Sequence, residues 1–364
     1  MFRIHSCLFL FLFHRFTKSG PYATIFYDWG NRQNNFLTEV CILNIRKLFE
    51  NNIRLLGFTE KAILLFRRGR YDEALGMVAD SAEGINKVCD AVLADRSFFK
   101  SIPSDFVGEM LEAVIAAKKN RDYVLLADLY EMQLSAFVCN VQELIMTAED
   151  IYGFDASTYN RRIRLMEQKL TAGIDSLTQG SVDDDERERL RVNRNAELEA
   201  PLSPEELLEK GYSVEFSSSG LMTVRVPSAT GAPIYLHTNG NILRESFLLA
   251  DDFRSEGIDS YIVFGLGTGY HIAELLELDR FAKVTVFESD INILKLYAAF
   301  GDGMLLENRR FGLVYDPERT LIEQRLSNIG ANEKGCVHYP SMRRAASGKR
   351  LTELAPFADI VERC

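Results

Sequence analysis

The sequence lacks the cysteine patterns that would assign a function class at once. Its six cysteines form no CxxC pair, and their spacing fits neither a zinc module nor a disulfide framework. Scattered cysteines in a mixed chain of 364 residues are typical of a reducing compartment. We therefore expect a cytoplasmic protein without structural disulfides, and we predict no metal site.

Excess positive charge is also missing. The chain has 42 Lys and Arg against 52 Asp and Glu, which gives a formal net charge of −10. Such an acidic chain binds polyanions poorly. The short basic clusters at 343–344 and 349–350 do not reverse that balance. The charge therefore argues against a general nucleic-acid-binding protein.

Long apolar runs are absent as well. A membrane span needs about 20 apolar residues, and we find no transmembrane segment in the sequence. The apolar run at 8–13 is too short for a signal peptide and has no small-residue cleavage site after it. The residues that follow show neither helical nor strand periodicity. We expect residues 1–36 to be disordered or to precede the true start of translation.

A helical pattern extends over residues 37–171. Apolar residues recur at spacings of three and four, as at Ile42, Ile45 and Leu48, and charged residues fill the other positions. Pro103 marks a break, after which Ser104 is expected to cap the next helix. The pattern predicts an antiparallel bundle of four to six helices. Because this region contains no histidine and no catalytic constellation, we expect an interaction or oligomerisation module.

A charged linker is predicted at residues 172–201, where the run VDDDERERLRVNRNAELEA contributes little to a core. Ser203 and Pro204 then begin a short helix, as a capping residue and a first-turn proline. Period-two segments at 213–216, 222–226 and 234–237 indicate a small β lead-in. The whole of 202–364 is predicted to be a Rossmann-like (methyltransferase-like) domain, so the fold class is α+α/β.

A strand–loop–helix unit lies at the centre of this domain. The buried-strand pattern at 261–264 is followed by a GLGTG loop, and a helix is predicted directly after it. A second strand, at 283–287, leads to Glu288, and Asp290 is expected to cap the next helix. Glycines at such a corner let a ligand approach the main chain, and the first amides of the helix carry partial positive charge.

This arrangement predicts a site for a nucleotide-type ligand. Its predicted residues are Gly265, Gly267, Thr268, Gly269, His271 and Glu288. Glu288 would accept hydrogen bonds from ribose hydroxyls, and His271 would contact a phosphate or sugar. The alternative is a tight strand-to-helix turn beside a solvated acid. His237 is expected to be structural, and no catalytic residue or metal ligand is assigned.

The glycine spacing leaves the ligand open. A dinucleotide fingerprint, GxGxxG, would need glycine where Tyr270 stands, which argues against NAD or FAD. The spacing GxGxG resembles that of class I methyltransferases, which carry an acid two residues before the first glycine. Val263 occupies that position here. An S-adenosylmethionine-dependent methyltransferase is therefore an alternative function.

The segments VFGLGTGYHIAELLE and VTVFESDINILKLYAAF resemble the N-terminal Rossmann-like domain of the motility accessory factor family. The upstream segments YSVEFSSSGLMTVRV and PIYLHTNGNILRESFLL resemble the β-rich lead-in of that domain. The resemblance covers about residues 211–316. Members of this family are large bacterial and archaeal flagellin glycosyltransferases.

The resemblance implies a role in flagellin glycosylation. Members transfer a nonulosonic acid, such as pseudaminic acid, from its CMP-activated form to Ser or Thr of flagellin. Their chemistry is attributed to a following domain similar to 6-hydroxymethylpterin diphosphokinases, marked by a GPSL loop that this sequence does not contain. The resemblance thus implies an accessory or truncated form that binds a CMP-linked nucleotide or nucleotide-sugar and works with flagellin or another protein of the pathway. Enzymatic activity stays open, and a non-catalytic interaction module is the third alternative.

Overall fold

The computed structural model of the chain describes residues 45–148, 155–177, 203–227, 232–301 and 303–346, together with residues 151, 188 and 198. The chain divides into two compact units, residues 1–151 with 218–220 and residues 152–217 with 221–364. The predicted segment 1–36 and the basic cluster at 349–350 lie outside the described residues. So does most of the predicted linker.

The first unit is a helical bundle, as predicted. Its elements are α1 (Ile45–Arg67), α2 (Tyr71–Ala94), α3 (Ser104–Lys119), α4 (Tyr123–Leu129), a π-helix (Tyr130–Leu134) and α5 (Ser135–Ala148). The apolar positions of α1, such as Leu55 and Ile63, are buried. Asp122 caps α4 by accepting the Leu125 N–H at 3.0 Å. Ser104, predicted as a cap, is instead the first residue of α3, and Pro103 occupies the cap position without a side-chain hydrogen bond.

The continuous stretch Tyr123–Ala148 qualifies the expectation about membrane spans. It is long and apolar enough to cross a membrane, the one such helix in the part of the chain described. Of its most apolar window, 44% is buried inside the protein. Leu126, Tyr130 and Val138 are among the buried residues. The core helix of a bundle meets the same criteria of length and composition.

The second unit combines helices with two sheets. Its elements are α6 (Ala156–Leu177), α7 (Pro204–Glu209), β1 (Ser213–Phe216), β2 (Met222–Val226), β3 (Ile234–Tyr235), α8 (Ile242–Phe253), β4 (Ser260–Phe264), α9 (Tyr270–Leu278), β5 (Lys283–Glu288), α10 (Ile291–Phe300), α11 (Met304–Glu307), β6 (Phe311–Tyr315), α12 (Thr320–Ser327), β7 (Glu333–Val337) and α13 (Tyr339–Ala346). Ser203, Asn241 and Asp290 cap α7, α8 and α10 by accepting backbone N–H groups. The predicted β lead-in and α/β segments are therefore confirmed.

The two sheets differ in strand direction. Strands β1, β2 and β3 form an antiparallel sheet, and the second sheet is parallel with the order β6-β5-β4-β7. Alternate residues of β4 face two cores, Tyr261 and Val263 one core, Ile262 and Phe264 the other. Strand order reverses beside β4, between β5 and β7. Ligands of such folds bind at the carboxyl ends of strands at this reversal.

Helix α6 corrects the predicted domain boundary. It was expected to close the helical module at residue 171, but it extends to Leu177 and belongs to the second unit. Lys169 donates to the carbonyls of Asn308 and Phe311 at 2.6 and 2.8 Å. A Cβ at Gly173 would lie 2.2 Å from the Leu313 carbonyl oxygen, so glycine is needed where the helix meets β6. The boundary lies near residue 152 instead.

Candidate functional site

Strand register brings three chain segments together at the carboxyl end of β4. Phe264 pairs with Phe287 of β5 and with Val337 of β7. Beyond these pairs, the Gly265 N–H donates to the Phe287 carbonyl at 2.8 Å, and the His338 N–H donates to the Phe264 carbonyl at 2.9 Å. The glycine loop therefore lies between Glu288 and His338.

Glu288 lies beside the loop, as the sequence predicts. Its side chain is buried and accepts the backbone N–H groups of Leu266, Ser289 and Asp290 at 2.9, 2.9 and 3.0 Å. Burial, with a smaller contribution from Asp290, raises the pKa of Glu288 to about 7, although the three amides oppose this shift. The carboxyl therefore changes charge near neutral pH.

A cavity of about 280 Å³ opens beside Glu288. Its lining residues are Tyr212, Leu236, Glu288, Ser289, Asp290, Ile291, Asn292, Ile293, Tyr315, Pro317, Arg319, Ser341 and Arg344. Arg344 donates to the Tyr212 hydroxyl at 2.9 Å and lies 3.3 Å from the Asp290 carboxylate. The cavity thus combines carboxylates with two guanidinium groups at the carboxyl ends of β5 and β6. Of the six predicted site residues, Glu288 lines it.

The glycine loop itself is covered by side chains of the chain. Gly265, Gly267 and Gly269 all have positive φ and are buried. A Cβ at Gly265 would lie 2.4 Å from the Ser341 Cβ, and one at Gly267 would lie 2.9 Å from the His338 ring. The glycines permit this close packing, so the space over them that the sequence assigned to a ligand holds Ser341 and His338.

Three histidines meet on this side of the loop. His237 follows β3, His271 lies in the first turn of α9, and His338 follows β7. All three are at most 1% exposed. Ring centroids are 4.5 Å apart for His271 and His338, 4.8 Å for His237 and His338, and 5.4 Å for His237 and His271. One ligand nitrogen from each histidine lies within 4.8 Å of the others.

Most nitrogens of this histidine cluster (His237, His271 and His338) have no hydrogen-bond partner among the described residues. By distance and angle they are Nε2 of His237, both nitrogens of His271, and Nε2 of His338, although the backbone of Gly265 lies beside His271 and the backbone of Leu236 lies beside His338. The buried Thr268 hydroxyl is also unpartnered in the described part of the chain. Leaving a buried polar atom unsatisfied costs about 1–3 kcal/mol. The histidine cluster is therefore costly to the folded chain unless these nitrogens gain a partner.

The other two nitrogens of the histidine cluster are held in place. Nδ1 of His237 lies 3.1 Å from Glu245 Oε1, and Nδ1 of His338 lies 2.7 Å from the Ser341 hydroxyl. Burial alone would raise the pKa of Glu245, but contact with His237 outweighs it and lowers the pKa. Burial, and next the neighbouring histidines, hold the pKa values of His271 and His338 well below the usual range. These imidazoles are therefore neutral at neutral pH.

The sequence pattern predicts only part of this arrangement. It placed His271 at the site, treated His237 as structural, gave His338 no role and assigned no metal ligand. The structure brings all three together. The sequence carried no clear signal for the other two, because His338 follows β7, which the sequence does not predict, and His237 follows a strand of the antiparallel lead-in.

Comparisons with known proteins assign no function. A family model described as a domain of unknown function, DUF8042, matches residues 45–144, which lie in the helical bundle. No curated protein matches the chain. The crystal structure of MNMC2 from Aquifex aeolicus is similar at 15% identity and a TM-score of 0.22, over 45% of this chain and 60% of that chain. The matched region thus spans about three fifths of the solved chain, and a likeness this distant carries no argument about fold or function. The resemblance to motility accessory factors stays a prediction.

Proposed function

We propose that the second unit binds a nucleotide or nucleotide-sugar in the cavity beside Glu288 and that the protein serves flagellin glycosylation as an accessory factor. One observation carries the binding proposal. The cavity lies at the carboxyl ends of two parallel strands, and its lining includes both the carboxyl of Glu288 and the guanidinium groups of Arg319 and Arg344. A nucleotide needs the same combination, an acceptor for ribose hydroxyls and cations for phosphate.

The lining residues can bind both the ribose and the phosphate of such a ligand. Each carboxylate oxygen can accept about two hydrogen bonds, so Oε2 of Glu288 can accept one more besides that from Leu266. Arg344 is already oriented by Tyr212 and Asp290. A guanidinium fixed in this way binds phosphate with little further loss of side-chain entropy.

The size of the cavity limits what it encloses. At about 280 Å³ it lies at the lower end of small-molecule sites, which begin near 300 Å³. A nucleoside monophosphate is the expected enclosed portion, and an attached sugar would extend outside. CMP is the favoured nucleotide, because the sequence resemblance implies a CMP-activated nonulosonic acid.

Support for the pathway comes from the resemblance over residues 211–316. Flagellin, or another protein that acts in glycosylation, is the partner that it implies. We assign the described residues a binding role and propose no transfer step.

A methyltransferase is the second candidate. The GxGxG spacing and an acid at the end of the following strand, Glu288, favour it, since that acid would contact the ribose of S-adenosylmethionine. Two observations weigh against it. Val263 replaces the acid expected before the first glycine, and His338 and Ser341 cover the loop.

Ligand titrations separate the candidates. The whole chain is mixed with CMP, CDP or S-adenosylhomocysteine, and Tm and Kd are measured. CMP or CDP should raise the Tm by mass action. Arg344→Gln should weaken nucleotide binding about 10- to 100-fold, the value of a charge-assisted hydrogen bond. Its exposed neighbour, as Arg343→Gln, should bind like the unmodified chain.

Each other outcome has a defined meaning. Stabilisation by S-adenosylhomocysteine alone would reject the nucleotide proposal in favour of methyl transfer. No stabilisation by any of the three compounds would also reject it, and would leave an interaction module. Equal weakening by both arginine variants would show that nucleotide binds outside the cavity.

A further inference from the structure

The geometry points to a metal site that the sequence did not predict. We propose that His237, His271 and His338 together bind one divalent transition-metal ion, for which Zn²⁺ is the best match. The three residues offer one ligand nitrogen each within 4.8 Å of one another, and all are buried. This site is separate from the nucleotide proposal, since none of the three histidines lines the cavity beside Glu288.

Unpaired nitrogens are the first line of support. Four buried ring nitrogens of the cluster lack a well-formed hydrogen bond among the residues described, although the backbone of Gly265 lies beside His271 and that of Leu236 beside His338. An apolar core filled by leucine or phenylalanine would avoid that cost. Coordination of a cation by one nitrogen from each ring relieves three of the four, and a neutral imidazole is the form that binds metal.

Orientation of the rings is the second line. Glu245 faces Nδ1 of His237, and Glu245 is itself held by the Thr238 N–H at 2.8 Å. Ser341 faces Nδ1 of His338 at 2.7 Å. In metal sites, the nitrogen that does not bind the ion usually contacts a carboxylate or another oxygen. Both contacts leave Nε2 as the nitrogen directed to the ion.

The donor set selects the ion. Three imidazoles without a carboxylate suit zinc, copper or nickel rather than magnesium or calcium. A tetrahedral zinc ion with Zn–N bonds of about 2.0–2.1 Å needs nitrogens roughly 3.3 Å apart. The longest distance between two ligand nitrogens must therefore shorten by about 1.5 Å. The rings of His271 and His338, which are now stacked, must rotate out of their parallel arrangement so that their nitrogens point at one ion. Three protein ligands leave one coordination position for water or another small ligand.

The site would tie together segments that are distant in the chain. His237 lies after the β lead-in, His271 begins the helix of the glycine loop, and His338 precedes α13. An ion held by all three would fix both flanking segments against the loop. Because this set of ligands forms only in the folded protein, the ion should stabilise the folded state.

The test uses the whole chain, produced without a histidine tag. After chelator treatment and dialysis, Zn²⁺ is added, and metal content and Tm are measured. We expect one zinc per chain and a rise in Tm of about 5 °C or more. Co²⁺ in place of zinc should give the visible absorption of tetrahedral nitrogen coordination. Failure of the unmodified chain to bind either ion at one equivalent would overturn the proposal.

Variants test the ligand assignment. His271→Gln should abolish the cobalt absorption and the zinc-dependent rise in Tm. Glu245→Gln should weaken zinc binding about 10- to 100-fold, as expected for a residue that orients a ligand. The matched control, His5→Gln with His14→Gln, removes the two other histidines of the chain and should bind zinc unchanged. Loss of binding in this control, with retention in Glu245→Gln, would assign the ion to other residues even if His271→Gln fails to fold.

Discussion

Buried polar groups pair with one another in the helical bundle, whereas most of those at the strand ends of the second unit do not. In the bundle, the buried Asn52 donates to Gln142 at 3.0 Å, and Gln142 donates to the carbonyls of Phe49 and Ser219 at 3.2 Å. At the strand ends, four nitrogens of the histidine cluster lack a well-formed hydrogen bond among the residues described. Both sets are almost fully buried.

This difference separates a structural polar network from a binding site. A network whose members satisfy one another stabilises one packing and needs nothing else. A group of buried nitrogens without partners is costly to the folded chain alone, and it gains its partner when a ligand binds. The comparison therefore supports the proposal that the strand ends, and not the polar network of the bundle, bind a ligand.

Glycine packing should give the largest effect. A Cβ at Gly265 would lie 2.4 Å from the Ser341 Cβ, at a φ of +95°. Gly265→Ala should therefore lower the free energy of unfolding by about 3–5 kcal/mol, through strain and displacement of Ser341. The control is Gly108→Ala in α3, where no neighbour lies within 4 Å and stability should rise by about 0.5–1 kcal/mol. Denaturant titration measures both, and similar effects would show that the loop is loosely packed.

Breaking the bundle network should come next. Gln142→Leu leaves Asn52 without its partner, and we expect a loss of about 3 kcal/mol from the unsatisfied groups. The double variant with Asn52→Leu should recover part of this loss, because both polar groups are then gone. Urea unfolding of the single and double variants measures the difference. A cost below about 0.5 kcal/mol for the single variant would contradict the pairing.

The pH dependence of stability should depend on Glu288. Its folded pKa of about 7 lies above the ordinary value of 4.5, so the folded state holds the proton more tightly. Its stabilising contribution is therefore complete at low pH and is lost as pH rises through 7. Between pH 5 and 8, Glu288→Gln should gain about 2–3 kcal/mol relative to the unmodified chain. Unfolding titrations at several pH values check this, and a constant difference would contradict the raised pKa.

The smallest effect is expected at the histidine cluster when metal is removed. Because neither ring nitrogen of His271 has a well-formed hydrogen bond among the described residues, His271→Leu gives up at most one contact, with the backbone of Gly265. In excess chelator its unfolding free energy should differ from that of the unmodified chain by about 1 kcal/mol or less. With zinc present the variant should become clearly the less stable of the two. A large loss in chelator would indicate that the cluster is a structural network like that of the bundle.

The fold was largely predictable from local pattern. The helix Ile291–Phe300 and the strands Ser213–Phe216 and Met222–Val226 occur where period and capping residues placed them. Two strands, Phe311–Tyr315 and Glu333–Val337, were not predicted, and the second, EKGCV, has neither an apolar run nor a clear alternation. The sequence also did not predict that α6 belongs to the second unit. An amphipathic period shows which face of a helix is buried but not which core covers that face.

The site was less predictable for a physical reason. The sequence indicates that glycines, an acid and a helix start follow one another, and the structure does place Glu288 beside Leu266. It does not indicate what fills the space above the glycines. That depends on a pairing between β4 and β7, which are about 70 residues apart in the chain and bring His338 and Ser341 over the loop.

X-ray absorption at the zinc edge tests the central claim most directly, because it reports on the atoms around the ion. For the zinc-loaded chain, we predict three imidazole nitrogens at about 2.0–2.1 Å with the outer-shell scattering of histidine rings, and one further oxygen or nitrogen ligand without it. Loss of this histidine signal in His271→Gln would complete the assignment. A shell dominated by oxygen or sulfur, or one unchanged in His271→Gln, would show that the buried nitrogens at the strand ends are not a metal site.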